Sequence, residues 1–416
     1  MLNKITADFR ALRRFPRQFW ILMGASFIDR LGGALLFPFF ALYVSERFDV
    51  GMTVVGGLFA IFAIASQVGG FIGGALADRF GRKSLVLFGL VVSALSSVVM
   101  GYVDSLAVFY VVAGIVGVLA DMAGPAQQAM VADLLPEEQR AEGYGIWRVL
   151  SNLAVMIGPL IGGFMAARSY LFLFWGDATT SVITAAILFV ALHETKPAAA
   201  PGHEHEKFSQ TLAGYAVVLR DMAFVGFLAA SIFLNIVYIQ MNSSLPVFLR
   251  DARGAPPHFY GIILSMNAGM VVLMQFWLTR RLKGIAPLLL MALGGVFYLF
   301  GFGLYAFVDG LALFALAMAI ITIGEMIVVP TAQTLAAKLA PEAMRGRYMA
   351  VFALAWTIPF AAGPYLAGLV LDNRDPNSLW LWGALFCAVA ITGYVLLHNA
   401  ARARVAEPEA EAAPAG

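Results

Sequence analysis

The chain has 416 residues, of which 61% are hydrophobic and only 12% are charged, and its formal net charge is +2. A soluble protein carries about 25% charged residues, so a chain of this size with so few charges needs lipid as the solvent for much of its surface. The small net charge argues against nucleic-acid binding, and the single cysteine, Cys387, excludes an intrachain disulfide. The composition predicts an integral membrane protein.

The apolar segments follow one another from near the first residue to near the last. A basic tail at 1–18 precedes an apolar run that is too long for a signal-peptide core, which predicts an uncleaved first helix. A membrane span needs roughly 20 mainly apolar residues. Twelve segments meet this requirement, at about 19–44, 52–77, 84–101, 106–131, 143–166, 170–192, 220–249, 258–279, 286–307, 311–336, 348–371 and 379–398.

The distribution of Lys and Arg predicts the orientation of these helices. With the N-terminus in the cytoplasm, 20 of the 27 basic residues fall in inner segments and five in outer loops. Because cytoplasmic loops carry the excess of positive charge, both termini are expected to be cytoplasmic, in a multi-pass protein of the cell (inner) membrane. The predicted organisation is a cytoplasmic tail, a six-helix bundle, a cytoplasmic linker that is not packed, a second six-helix bundle and a second tail, at 1–18, 19–192, 193–219, 220–398 and 399–416.

An internal repeat supports this division into six plus six helices. The segment 125–163 returns 205 positions later, and its landmarks Gly158-Pro159 and Gly163 match Gly363-Pro364 and Gly368. Parallel repeats related by an axis along the membrane normal are typical of transporters whose substrate site lies near the bilayer midplane. The repeat therefore predicts a secondary transporter.

A charged motif fills the short connection between the second and third helices. It reads G-A-L-A-D-R-F-G-R-K over residues 74–83, where Gly81 supplies the freedom for a tight turn. The motif resembles the loop signature of the major facilitator superfamily, and the twelve-helix repeat extends the resemblance from about 15 to 400. The resemblance implies alternating access, with this loop latching one conformation through its charges and with Asp133 as their partner. The expected conformational gate comprises Gly74, Asp78, Arg79, Gly81, Arg82, Lys83 and Asp133.

A second motif lies in the fifth helix. Its residues Gly158, Pro159, Gly162 and Gly163 resemble the antiporter motif of the drug:proton antiporters in this superfamily, although Ala154 stands where the fuller pattern has glycine. The resemblance favours an exporter over an importer. The alternative is ordinary helix packing, which small residues also promote.

Ionisable residues within the predicted spans are candidates for function, because a charge at the centre of a bilayer costs about 2.5–3.5 kcal/mol on insertion scales. Glu325 has no basic residue in its own or a neighbouring span and is the main candidate for a proton or cation acceptor, with Asp29 and Asp121 as secondary candidates. Arg30 and Arg148 could pair with these aspartates, and a purely structural network of the four remains an open alternative. Asp177 lies in the sixth helix, which the resemblance places at the periphery.

Aromatic and amide side chains on the expected cavity helices are candidates for lining a substrate chamber. Such surfaces adapt to varied apolar ligands. The candidates are Phe27, Trp147, Asn152, Asn235, Tyr238, Asn242, Asn267 and Trp356.

These features together predict a proton-coupled exporter of lipophilic small molecules or drugs. A P-loop and a nucleophile–base arrangement are missing from the sequence, so the proton gradient is the expected energy source, without cofactor or metal. The expected partners are a small-molecule substrate, protons and the lipid bilayer, and not nucleic acid, for a chain acting as a monomer. The alternatives are export of a specific metabolite or lipid, proton-coupled import, or a non-transporting role as receptor or lipid scramblase.

Overall fold

A computed structural model describes residues 14–195 and 215–411, apart from the side chains at 74, 75, 78, 120, 121, 141, 343 and 399–411. The candidates Gly74, Asp78 and Asp121, and most of the predicted linker, lie outside these described residues. Within them, twelve helices are long and apolar enough to cross a membrane, which confirms the predicted number.

The first six helices agree with the sequence prediction to within four residues at every end but one, since the fifth begins at Glu137 and was predicted to begin at 143. A single turn of 3-10 helix at Phe37–Phe39, which contains Pro38, interrupts the first of them. Proline lacks the N–H that a regular α-helix requires, so the local change of helix type is expected there. The six are α1 (Arg17–Phe48), α2 (Met52–Phe80), α3 (Arg82–Tyr102), α4 (Leu106–Leu134), α5 (Glu137–Ala166) and α6 (Leu171–Ala191).

The second six helices repeat this order. The predicted seventh helix ends earlier than expected, at Ser243, and a separate short helix, Leu245–Arg253, follows because Pro246 cannot continue the hydrogen-bond pattern. The six are α7 (Met222–Ser243), α8 (Pro257–Arg281), α9 (Pro287–Leu304), α10 (Leu311–Leu339), α11 (Arg345–Asn373) and α12 (Ser378–Glu411).

The chain forms two compact units that differ slightly from the two halves of the sequence. The first unit takes the beginning of α8, through Ala268, together with α1, α3–α6 and most of α2. The second unit takes the beginning of α2, Val50–Ala60, together with the rest of the second half. The beginning of α8 therefore packs in the first unit, and the beginning of α2 packs in the second unit.

Glycines allow these helix segments to pack closely within each unit. In the second unit, a Cβ at Gly368 of α11 would lie 2.3 Å from the backbone N of Thr53, and a Cβ at Gly56 would lie 2.4 Å from the backbone of Tyr365. In the first unit, a Cβ at Gly261 of α8 would lie 2.3 Å from the carbonyl oxygen of Pro159. The helix backbones approach closely at these places, and only residues without a side chain allow this distance.

Candidate functional site

Glu325 lies in the middle of α10 in the second unit and is half-buried. The hydroxyl of Tyr238, on α7, donates a hydrogen bond to Glu325 Oε1 at 3.0 Å. A hydrogen bond to a charged partner contributes about 1.5–3 kcal/mol when it is shielded from water. The structure thus brings together the main proton-acceptor candidate and one of the predicted chamber residues.

Aromatic rings surround this pair. The ring of Tyr298 stacks on Tyr238 with centroids 5.7 Å apart, and Trp356 meets the same ring edge-on at 5.7 Å. Asn235, one turn before Tyr238, is buried and donates from Nδ2 to the carbonyl oxygen of Ala355 at 2.7 Å. The last bond fastens α7 to α11 beside Trp356, so three predicted chamber residues and Glu325 form one cluster, here called the aromatic carboxylate site.

Close packing of α9 and α10 fixes the position of Glu325. A Cβ at Gly324 would lie 2.8 Å from the carbonyl oxygen of Gly294 and 2.7 Å from the Tyr298 ring. Because neither glycine carries a side chain, the two backbones come near enough for the adjacent Glu325 to be held beside the tyrosines. Sequence reasoning did not single out Tyr298, although it lies one turn from Gly294.

Two carboxylates of the first unit occupy a different environment. Asp177 on α6 is 7% exposed and accepts a hydrogen bond from Ser97 of α3. Asp29 on α1 accepts a bond of 3.4 Å from Ser181, which lies one turn after Asp177 on α6. Ser181 also contacts Ser93 of α3 at 3.3 Å. These residues form a single polar group, here called the hydroxyl carboxylate cluster, that connects three helices of one unit.

Asp177 therefore belongs to this polar cluster, although the sixth helix was expected to be peripheral. Its position on the sixth helix left it outside the predicted site, whereas its carboxylate is buried among polar side chains with Asp29 nearby. A signal was present in the sequence, because Ser93 and Ser97 on one helix and Asp177 and Ser181 on another each share a helix face at a spacing of four residues.

The two arginines expected to pair with these aspartates are exposed. Among the described residues, no carboxylate lies within 4 Å of Arg30 or Arg148. The basic group that acts electrostatically on Asp29 is its chain neighbour Arg30. Any pairing with Asp121 concerns a side chain outside the described residues, so the four-charge network stays a prediction.

The other predicted chamber residues do not join the aromatic carboxylate site. In the first unit, Asn267 is buried, while Phe27 and Asn152 are half-buried. Trp147 packs against the hydrophobic core between α1, α3 and α4. Asn242, near the end of α7, is half-buried. A binding role for these five residues stays a prediction.

The glycines of the predicted antiporter motif are packing positions. A Cβ at Gly158 would lie 2.8 Å from the carbonyl carbon of Ala34, and one at Gly162 would lie 2.5 Å from the carbonyl oxygen of Leu35. Gly163 faces the beginning of α8, where a Cβ would lie 2.8 Å from the Cα of His258. The motif thus holds α5 against α1 and α8, and Pro159 lies within a continuous helix. Its link to antiport stays a prediction.

The charged loop between α2 and α3 contacts two other helices of the first unit. Gly81 has a φ of +95°, a conformation that favours glycine. Arg82 Nε lies 2.7 Å from Asp133 Oδ2, and both side chains are largely buried. The expected partner of the loop is therefore in contact with it, while its action as a gate stays a prediction.

Glu194 completes this arrangement and was missed by sequence reasoning. Its carboxylate accepts hydrogen bonds from the backbone N of Arg82 at 2.9 Å and of Lys83 at 3.2 Å, at the beginning of α3. Lys83 Nζ in turn donates to the carbonyl oxygens of Phe189 and Leu192 at the end of α6. Helix N-termini attract anions and C-termini attract cations, so the two charges stabilise both helix ends. The first residues of the linker that was predicted to be unpacked are therefore hydrogen-bonded to the helices, although His193 and Glu194 are exposed.

Comparisons with known proteins identify the family of the chain. The family model of the Major Facilitator Superfamily matches residues 22–364. A Na(+), Li(+), K(+)/H(+) antiporter of Planococcus maritimus is 28% identical over 78% of this chain and 82% of its own length. Multidrug resistance protein MdtH of Yersinia enterocolitica is 23% identical over 89% of this chain and 92% of its own length.

Solved structures show the same fold. The nucleoside transporter NupG matches with a TM-score of 0.77 at 15% identity, covering 92% of this chain and 99% of that one. A POT family transporter in complex with a thioalcohol-conjugated peptide matches with a TM-score of 0.76 at 15% identity over 95% of this chain and 96% of its own. With twelve membrane-spanning helices, a near-complete loop signature and a family match over most of its length, the chain belongs to the major facilitator superfamily.

Proposed function

We propose that this superfamily transporter is a proton-coupled exporter of lipophilic, cationic small molecules, with Glu325 as the group that binds protons and substrate in turn. The observation that carries the proposal is the aromatic carboxylate site, in which Tyr238 holds Glu325 beside Tyr298 and Trp356. The protein would act as a monomer in the cell (inner) membrane, with the proton gradient as its energy source.

The chemistry of the site suits a cation with an apolar body. Aromatic faces attract cations by about 0.5–2 kcal/mol each, and their rings also accept apolar groups. A carboxylate at bilayer depth is stable when it is either protonated or next to a cation. A proton and a cationic substrate therefore compete for Glu325, and this exclusion is what couples inward proton movement to outward substrate movement.

Asp29 is the proposed secondary acceptor, within the hydroxyl carboxylate cluster. Serine hydroxyls can either donate to an ionised carboxylate or accept from a protonated one, so the cluster tolerates both states. Asp121 has the same proposed role on the sequence argument alone. The loop at Gly81–Lys83 with Asp133 is the proposed conformational latch, as the family resemblance implies.

The test is transport by the purified full-length protein in proteoliposomes with an acidic interior. Uptake of tetraphenylphosphonium, a permanent lipophilic cation, is expected to depend on the pH gradient and to stop when nigericin with potassium removes that gradient. Protein-free liposomes measure the leak. Uptake that is independent of the pH gradient, or absent for a panel of lipophilic cations, would contradict the proposal.

Exchange of monovalent metal cations for protons is the second candidate. The name of the 28% identical relative from Planococcus maritimus favours it, and the hydroxyl carboxylate cluster offers oxygen ligands of the kind that hard cations prefer. In the same proteoliposomes, sodium, lithium or potassium added without a lipophile would then dissipate the pH gradient. Dissipation by metal cations but not by tetraphenylphosphonium selects the second candidate.

A further inference from the structure

A cavity of about 260 Å³ lies within the second unit, between α7, α11 and α12. Its walls come from Val237 and Gln240 of α7, from Gly363 and Leu366 of α11, and from Gly383 of α12. The three wall segments lie in the halves of their helices that the sequence predicts to face outward. The cavity is therefore at the depth of the outer leaflet.

Two glycines leave this space open. A Cβ at Gly363 would lie 2.7 Å from Cγ2 of Ile239, so that position admits no side chain. A Cβ at Gly383 would lie 3.3 Å from Cγ1 of Val237, which also lines the cavity. A larger side chain at this position would therefore occupy part of the cavity. Gly383 therefore determines whether the cavity is empty or filled.

The apolar lining of the cavity suits an apolar ligand from the bilayer. Leu366 and Leu369 are each 41% exposed and Trp382 is 48% exposed, so the cavity is continuous with the surface of the membrane-spanning helices. The amide of Gln240 is satisfied internally by the carbonyl oxygen of Ile236 and by the hydroxyl of Ser244. The volume is smaller than the roughly 300–1,000 Å³ of pockets for drug-sized ligands, and a hydrocarbon chain fits it better.

Trp380, a wall residue near the beginning of α12, marks the depth of the cavity in the membrane. Trp380 is the third residue of α12, at the depth where tryptophan meets the membrane–water interface. The ester carbonyl groups of phospholipids occupy the same depth.

We propose that this cavity binds one phospholipid of the outer leaflet. One acyl chain lies between α7, α11 and α12, with the lipid headgroup at the outer membrane surface beside the beginning of α12. The proposal is independent of the transported substrate and of the role of Glu325.

The test uses the full-length protein in vesicles of phosphatidylethanolamine and phosphatidylglycerol with a trace of phosphatidylglycerol that carries a diazirine in one acyl chain. After photolysis, peptide mass spectrometry is expected to find adducts concentrated at 363–370 and 379–386. Gly383→Leu should reduce these adducts at least about fivefold, because its side chain occupies the cavity. Gly383→Ala, a milder replacement, should reduce them partially and serves where the leucine variant does not fold.

Gly393→Leu is the matched control. It lies on the same helix, and its Cβ would meet Ala230 of α7 at 3.3 Å, outside the cavity. This variant should label as the wild type does. Two results would overturn the proposal directly: equal labelling of Gly383→Leu and wild type, and adducts spread evenly over all spans. Displacement of the lipid by tetraphenylphosphonium would also overturn it, because the cavity would then bind a transported compound.

Discussion

The two units of this protein hold carboxylates at bilayer depth in contrasting surroundings. In the hydroxyl carboxylate cluster, Asp177 and Asp29 meet serines of α3 and α6, so the cluster joins three helices of one unit. In the aromatic carboxylate site, Glu325 meets a tyrosine hydroxyl and a set of rings while remaining half-buried. Asp177 is thus the more buried carboxylate and contacts a serine hydroxyl, whereas the less buried Glu325 lies beside aromatic rings.

Under the proposed function, this contrast distinguishes Asp177 as a structural carboxylate from Glu325 as the coupling carboxylate. A group that fastens helices together through its hydrogen bonds cannot lose those contacts without loosening the unit. A group that is half-buried beside apolar rings can exchange a proton or a cation without dismantling the fold. Burial alone would have selected Asp177, whereas the chemistry of the surroundings selects Glu325.

The largest expected effect comes from Glu325→Gln, which keeps the size of the side chain but cannot bind a proton. Transport driven by the pH gradient should fall at least about tenfold, which corresponds to roughly 1.4 kcal/mol. Counterflow of labelled against unlabelled substrate needs no proton movement and should continue at a raised substrate concentration, which offsets the weaker binding of the cation. Proteoliposome flux measures both. The control is Glu138→Gln, at an exposed position, and gradient-driven flux at the wild-type rate in Glu325→Gln would refute the assignment.

Tyr238→Phe is a second test of the aromatic carboxylate site. Loss of the 3.0 Å hydrogen bond should reduce gradient-driven flux about three- to tenfold. A hydrogen bond to a charged group contributes about 1.5–3 kcal/mol, and part of this free energy holds Glu325 in position. Ring stacking with Tyr298 should persist, so counterflow should change less than coupled flux. An equal loss of both rates would indicate damaged packing instead of damaged coupling.

Asp133→Asn tests the charged loop of the first unit against the connection between α8 and α9 in the second, which reads T-R-R-L-K over residues 279–283 and lacks an aspartate. Breaking the largely buried pair with Arg82 should slow both coupled flux and counterflow, about two- to fivefold, without altering the number of protons moved per substrate. Arg280→Ala is the control, because this arginine of the corresponding loop stacks on Phe276 and has no carboxylate within 4 Å in the described part of the chain. A changed stoichiometry in Asp133→Asn would place Asp133 in the coupling pathway.

The smallest effect on transport is expected at Asp177. Asp177→Ala leaves the Ser97 hydroxyl without its acceptor, which should lower the free energy of unfolding by about 1–3 kcal/mol and be visible as a lower Tm in detergent. Asp177→Asn retains an acceptor oxygen and should stay closer to the wild type. Coupled flux per folded molecule should be unchanged in both. A loss of coupling in the asparagine variant, at normal stability, would break the distinction between the two sites.

Much of this architecture could be predicted because hydropathy and charge act over whole helices. Twelve spans follow from apolar length, and the landmarks of the repeat, such as Gly158 and Gly363, mark places where helices approach. The predicted site residues also included Glu325 and three of its neighbours, since each polar or aromatic group on a cavity helix is conspicuous in an apolar span.

Other contacts depend on side chains that meet only in three dimensions. Glu194 follows the end of an apolar span and resembles the beginning of a linker, yet it binds the first N–H groups of α3. Tyr298 is one aromatic residue among many until the close approach of α9 and α10 places it against Tyr238. Arg30 and Arg148 looked like partners for buried aspartates, but long side chains can reach a polar surface from within a span and are exposed here.

The central claim, that Glu325 exchanges a proton for a cationic substrate, can be tested by proton release in a weakly buffered detergent solution. Addition of tetraphenylphosphonium to the full-length wild-type protein should release protons, recorded with a pH indicator, and Glu138→Gln should do the same. Glu325→Gln should bind the cation more weakly and release no protons. Undiminished proton release from Glu325→Gln would contradict the account and transfer the coupling role to another carboxylate.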